Sequence, residues 1–511
     1  MLQRLTTRAL REAAQKHISI LLRQHAEWFF VSSAGPAQSL RSSEIEITLS
    51  HDRLVLSCWT EKGTRTYRIL GWQWNGQTLV IQASRRFGSE QPLLELVPRA
   101  SASAIVATIR AAREVRCERI AQLVRDWQSR STIERCGLSP GKRRGQPGRY
   151  ARILLRWKGE RIAVTGPVVS SHPSTVDAFL SSALLWFTRT RDRLRGPYIQ
   201  QLWLSVSEDL AKPTCYRVAL LRESLKNIIT ILVVDEQLRA VSPVNCPDRH
   251  ELWSRKVARF PPVPIATMSE QTIAIVGEAP EAIDVVHSRH GETLRYFGLP
   301  FARVRSVLGV ERVWFGIDSS RRSLLDDSSC HEWRNLFRDL REHRSAFTRD
   351  HRHALYRTAA EAWLESLLRR DITRLDPGLI IAPLHAQFRT AHSGKLGIRP
   401  IDLLALRQDG RLVVIELKAS EDREHVLQGA DYWRRVEAHR RRGHIATAKL
   451  FGDKPIKDEP PLVYLVAPTL RVHPSFPTLA RCISSDIEIY RFDINEDWRF
   501  GVRVMRRMRV N

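Results

Sequence analysis

A chain of 511 residues is too long for one ordinary core, so about two to four domains are expected. Its 43% hydrophobic and 27% charged residues exclude a disordered or fibrous chain. Lys and Arg outnumber Asp and Glu 81 to 55, and the formal net charge of +26 points to a polyanionic partner, of which nucleic acid is the commonest. Seven scattered cysteines without knuckle or redox spacing read as reduced thiols of a cytoplasmic protein. No apolar run approaches the roughly 20 residues of a membrane span, and no membrane partner is expected.

The elements fall in chain order as follows. A basic amphipathic stretch from Met1 to about Phe30 reads as a helix and not as a targeting peptide, since Glu12 and Glu27 interrupt it. Short strands start near Glu44, Arg53, Thr66 and Thr78, with Asn75-Gly76 suited to a tight hairpin. A long helix over about Ser101 to Ser129 closes an α+β domain, residues 1–130. Residues 131–149, rich in Gly, Pro and base and including Lys142, Arg143 and Arg144, read as a linker. An α/β domain follows over 150–244: a hairpin, a helix from Ser174 to about Arg191, a strand, a helix over Arg217–Lys226 and the buried strand IITILVVD. Residues 245–345 form a connecting domain whose elements are hard to read, apart from the strand-like VERVWFGID. Helices are expected over about His331–Arg344 and Arg352–Arg370, the second opening a C-terminal domain, 346–511.

The informative run is GIRPIDLLALRQDGRLVVIELKASEDREHVLQGADYWRRV, from Gly397. Two strands joined by Gln408-Asp409-Gly410 suit a type I turn with a glycine bulge, which pairs Arg407 with Arg411. Counting back sets Asp402 directly opposite Glu416. The second strand then turns Val413, Ile415 and Leu417 to one face and Val414, Glu416 and Lys418 to the other. Charges at mid-strand are costly if buried without compensation, so they require each other, a metal ion or a wet cleft. Facing carboxylates offer hard oxygen ligands for Mg²⁺, which would polarise a phosphodiester. A lysine beside them can orient the attacking water or stabilise developing negative charge.

Asp402 followed after one hairpin by Glu416-Leu417-Lys418 resembles the active-site motif of the PD-(D/E)xK nuclease superfamily, although Ile401 separates Pro400 from Asp402. Gln428 and Tyr432 match the QxxxY motif of its RecB-like branch, on one face of the following helix. The resemblance covers about Arg352 to Val472. It implies a restriction-endonuclease-like αβββαβ core with a mixed sheet, preceded by α+β domains in a multi-domain α/β protein. It also implies Mg²⁺, with Mn²⁺ able to substitute, held by Asp402, Glu416 and the Leu417 carbonyl. A further acidic ligand is implied on the helix upstream: Glu361, with Glu365 as the alternative. Gln387, on the first strand, is a candidate for the site rim.

The implied activity is metal-dependent endonucleolytic hydrolysis of DNA, with RNA left open, in restriction, phage defence or DNA repair. A homodimer or a partner protein is compatible with it. The α/β domain at 150–244 follows the same element order without an Asp…Glu-x-Lys set, as a degenerate copy would. The competing expectation is a non-catalytic, basic nucleic-acid-binding scaffold. The run His439-Arg440-Arg441-Arg442-Gly443 suits a helix C-terminus without any ligand. No histidine spacing suggests zinc, and no P-loop couples cutting to ATP.

Overall fold

The computed structural model of the chain describes residues 3–511 apart from 33–37, 51, 61–62, 85–90, 100–101, 142–145, 170–171, 194–197, 236, 255–258, 261–266, 289–290, 308, 319–321 and 391–398. Lys142, Arg143, Arg144 and Gly397 thus lie outside the described residues. The protein is mixed α/β with several sheets and divides into two compact units, Met1–Leu154 with Gly166–His172, and Leu155–Thr165 with Pro173–Asn511. No helix among the described residues is long and apolar enough to cross a membrane.

In the first unit, alternating strands build an antiparallel sheet whose apolar face receives Ala14, Ile18 and Leu22 of the helix Arg8–Arg23. Its expected hairpin is present: Gly76 takes φ 89°, and Asn75 Oδ1 accepts from the N–H groups of Gln77 and Thr78 at 3.0 and 2.7 Å. Strands over Glu27–Ser32, Gln38–Arg41 and Leu93–Pro98 were not foreseen. The first of them takes up Phe29 and Phe30, so the N-terminal helix stops short of its expected end.

The linker expectation is corrected: Thr132–Pro140 is a strand and another starts at Pro147. Glycine serves close approach there, because a Cβ on Gly148 would lie 1.6 Å from the Ser139 carbonyl oxygen.

In the second unit, residues 161–165 pair in parallel with Ile199–Val206, which pairs in parallel with Ile229–Val234. The helix Val176–Arg193 precedes the middle of these strands. The helix expected over Arg217–Lys226 is instead Glu208–Val218 followed by the short Glu223–Lys226. Its acidic first turn suits a helix N-terminus, and Pro213 within it masked the signal. The poorly legible region resolves into the helix Glu270–Glu278 and an antiparallel meander from Ile283 to Leu324. Trp333, Phe337 and Leu340 of the helix Cys330–His343 complete its core.

The C-terminal part supplies α1 (Ala360–Arg370), β1 (His385–Phe388), β2 (Ile401–Leu406), β3 (Leu412–Leu417), α2 (His425–Arg440), β4 (Leu462–Pro468), β5 (Ile489–Ile494) and β6 (Val504–Arg509). They make a mixed sheet in sequential order, antiparallel from β1 to β3, parallel from β3 to β5, and antiparallel again at β6. Both faces are covered. Trp363, Leu364 and Leu368 of α1 pack on Leu403, Val413 and Ile415, while Tyr432 and Val436 of α2 pack on Leu404, Leu406 and Val414. Burial on both sides makes β3 an almost unbroken apolar run, as a central strand requires.

The helix expected over Arg352–Arg370 is broken at Ala359, which takes φ 50°. Arg344 holds this break. Its fully buried guanidinium donates to the carbonyls of Tyr296, Phe297, Leu355 and Thr358 at 2.7–2.8 Å and more weakly to Ala359. Burial, then Arg499, lowers its pKa to about 9, so it remains a cation at neutral pH. Arg344→Met would strand several buried carbonyls. It is expected to lower the stability of the second unit by about 3 kcal/mol or more, read as a shifted urea midpoint.

Candidate active site

Strand register brings the site together. Leu403 faces Ile415 and Leu406 faces Leu412, the Arg407 N–H donates to Arg411 O at 2.9 Å, and Gly410 has φ 84°. Asp402 therefore stands level with Glu416, as the turn chemistry predicts. On the other side, the β1–β2 ladder sets Gln387 level with Asp402. Gln387 has φ 49°, a conformation costly for a non-glycine residue.

The side chains converge at this end of the sheet. Asp402 Oδ2 accepts the Leu417 N–H at 2.8 Å, and Lys418 Nζ donates to Glu416 Oε1 at 2.7 Å. Gln387 Nε2 donates to Glu365 Oε2 at 2.6 Å, and Arg295 Nη1 lies 3.6 Å from Glu365 Oε1. Asp422 stands 3.6 Å from Lys418 Nζ. Glu416 Oε2 is buried and has no hydrogen-bond partner, and neither has Gln428 Oε1.

The electrostatics follow from crowding carboxylates in a desolvated place. Burial, then the neighbouring Asp402, pushes Glu416 well above the ordinary carboxylate value. Burial raises Asp402 and Glu365 as well, against the hydrogen bonds each accepts. Burial alone would depress Lys418, but Glu416 and Glu361 outweigh it and hold the ammonium charged. Burial, then the Glu416 charge, raises the Tyr432 phenol, which stays neutral. His425, lowered to about 3 by burial and by Lys418, is neutral and donates from Nε2 to the Glu416 carbonyl at 3.2 Å.

Of the residues singled out in the sequence, Asp402, Glu416, Leu417, Lys418 and Gln387 share one end of the sheet. Glu361 is the exposed member of its helix pair; its carboxyl interacts with Lys418 and Asp402. Glu365, one turn on, is buried and bonded into the cluster. Gln428 and Tyr432 are buried on the sheet-facing side of α2, where Gln428 donates to Glu424 at 3.3 Å. Arg295 carried no local signal, being contributed by the meander. Asp422 and His425 follow Lys418 at i+4 and i+7 in SEDREH, a spacing that could have flagged them. Among the described residues, no group of three or more His, Cys, Asp or Glu is arranged as a metal-ligand set. Comparison of the chain with protein-family models, curated proteins and solved structures finds no match.

Proposed function

We propose that the C-terminal part of this chain is a divalent-metal-dependent nuclease with a restriction-endonuclease-like αβββαβ core, acting on DNA. The reading rests chiefly on Glu416. One of its oxygens is paired with Lys418, and the other is buried against the Asp402 carboxyl with no N–H or hydroxyl donor on it. Two carboxyls crowded together in a desolvated place fit a divalent cation, which would let both ionise. Asp402, Glu416 and the Leu417 carbonyl would hold Mg²⁺ or Mn²⁺, with Glu365 better placed than Glu361 to support the set through Gln387.

The cation, when bound, supplies Lewis acidity and charge neutralisation at the phosphoryl group. Lys418 is positioned to orient the attacking water and to offset negative charge in the transition state. Tyr432, held neutral, braces the carboxylates from α2. The overall charge of +26 draws the polyanion to the protein.

A second reading, a non-catalytic nucleic-acid-binding scaffold, is favoured by the ammonium already seated on Glu416. The two separate on incubation with supercoiled, linear and single-stranded DNA in Mg²⁺, Mn²⁺ or EDTA. Nicking or degradation that needs metal and disappears in Asp402→Ala and Lys418→Ala is expected. Salt-sensitive binding without product in either metal would leave the scaffold.

A further inference from the structure

A second, basic feature lies beside the carboxylate cluster and meets it at Tyr432. Helix α2 turns one face toward the helix Glu208–Val218 and the start of Val176–Arg193, and a cavity of about 90 Å³ opens between them. Four guanidinium groups line it, those of Arg217, Arg399, Arg434 and Arg435, beside the carboxylates of Asp177 and Asp431, while Glu424 pairs with Arg399 at 3.4 Å from outside the lining.

The four are not equally satisfied. Arg217 donates to both oxygens of Asp177, at 2.9 and 3.3 Å. Arg434 donates to Asp431 Oδ1 at 2.6 and 2.9 Å and stacks on Tyr216 at 4.7 Å. Arg435 is different. It is only 7% exposed, its Nη1 donates to the Arg399 carbonyl at 2.9 Å, and its Nε reaches Asp431 only at 3.5 Å. Its Nη2 is buried with no hydrogen-bond partner. A buried guanidinium with an unused donor, among three other arginines, can take a further anionic acceptor.

Size and lining limit what that anion is. The cavity has room for several water molecules and hence for one phosphate group. Pro173, Pro213 and Tyr216 also line it, and apolar walls strengthen each charge-assisted contact. Arginine's planar fork suits phosphate oxygens. Tyr432 lines the pocket and also feels the Glu416 and Asp402 charges, so a strand lying across that cluster would bring a neighbouring phosphate here.

We propose that Arg435, Arg399 and Arg434 form a binding site for a phosphate group of a nucleic-acid strand, next to the proposed cleavage site and built jointly with the preceding α/β module. This rests on the nuclease reading for its substrate class, and its test does not depend on cleavage. The group is either the monoester at a strand end or an internal diester, both of which present non-bridging anionic oxygens to the arginines.

Binding of fluorescent dT12 carrying a 5′-phosphate or a 5′-hydroxyl would be measured by anisotropy in EDTA, for the full chain, Arg435→Gln and Arg399→Ala. Arg399 is half exposed, so its replacement guards against misfolding of the Arg435 variant. Both substitutions are expected to weaken binding about fivefold or more and to reduce the salt slope by about one. A preference for the 5′-phosphate that the variants abolish would assign the site to strand ends. Equal weakening of both oligonucleotides would assign it to an internal phosphate. Unchanged affinity and salt slope in folded variants would overturn the proposal, even for a protein that cuts. Arginine-dependent binding by a protein that never cuts would sustain it and count against the nuclease.

Discussion

Asp402→Asn is expected to yield a protein that no longer cuts, yet is more stable than wild type in EDTA. Asparagine keeps an acceptor for the Leu417 N–H, which Asp402 holds at 2.8 Å, so β2 and β3 stay joined. It removes one of two neighbouring carboxylates whose pKa values are both raised, chiefly by burial. A carboxyl with a raised folded-state pKa binds more protons folded than unfolded. Stability therefore falls as pH rises from the unfolded to the folded value, and the full cost persists above it.

The asparagine variant lacks its share of that cost. Its advantage should be absent in acid, grow as pH rises above the usual carboxylate range, and reach the order of 1 kcal/mol. Divalent cations reverse the ranking. Mn²⁺ should raise the melting temperature of wild type through mass action and leave the variant unchanged, while cleavage falls about 100-fold or more. Thermal scans in EDTA and in Mn²⁺, at pH 5 and pH 8, read all of this without a substrate. Equal Mn²⁺ stabilisation of both proteins would remove Asp402 from the metal set.

The parts that were legible in the sequence are those fixed by short-range rules. The Gln408-Asp409-Gly410 turn sets the register of β2 on β3, and a one-residue slip would have turned Glu416 away from Asp402. Helix periodicity placed Gln428 and Tyr432 on one face of α2. What escaped is decided by distant chain. Glu361 and Glu365 sit on the same helix, and only the fold shows that Gln387 and Arg295 reach the second of them. The break at Ala359 depends on Arg344, which satisfies carbonyls from two separate segments. The arginine cavity needs Arg217 and Arg435, more than two hundred residues apart in the chain. The strand Thr132–Pro140 was hidden because glycine, read there as a linker signal, also serves close packing, as at Gly148.

Lys418→Met should produce the opposite thermodynamic pattern, and the contrast separates the two roles. The ammonium is the cation nearest Glu416, at 2.7 Å, and both groups are almost fully buried. Removing one partner of such a pair typically costs about 3–5 kcal/mol. The expected loss lies near the lower figure, since Glu416 can escape by taking up a proton. With the lysine gone, the carboxyls are raised further, so the variant's deficit should widen as pH rises and shrink in acid.

Metal binding should improve. In wild type the ammonium is paired with Glu416, a proposed ligand of the cation, and methionine would not compete for that carboxylate. Mn²⁺ affinity in calorimetry should tighten about tenfold, a change of about 1.4 kcal/mol. Cleavage should nevertheless fall about 100-fold or more, because the positive charge beside the attacking water is lost. A variant that binds metal better and cuts worse would assign Lys418 to the chemical step. Weaker metal binding would mean that the lysine organises the carboxylates for the cation and does not compete with it, and its loss would then act on ligand geometry before chemistry.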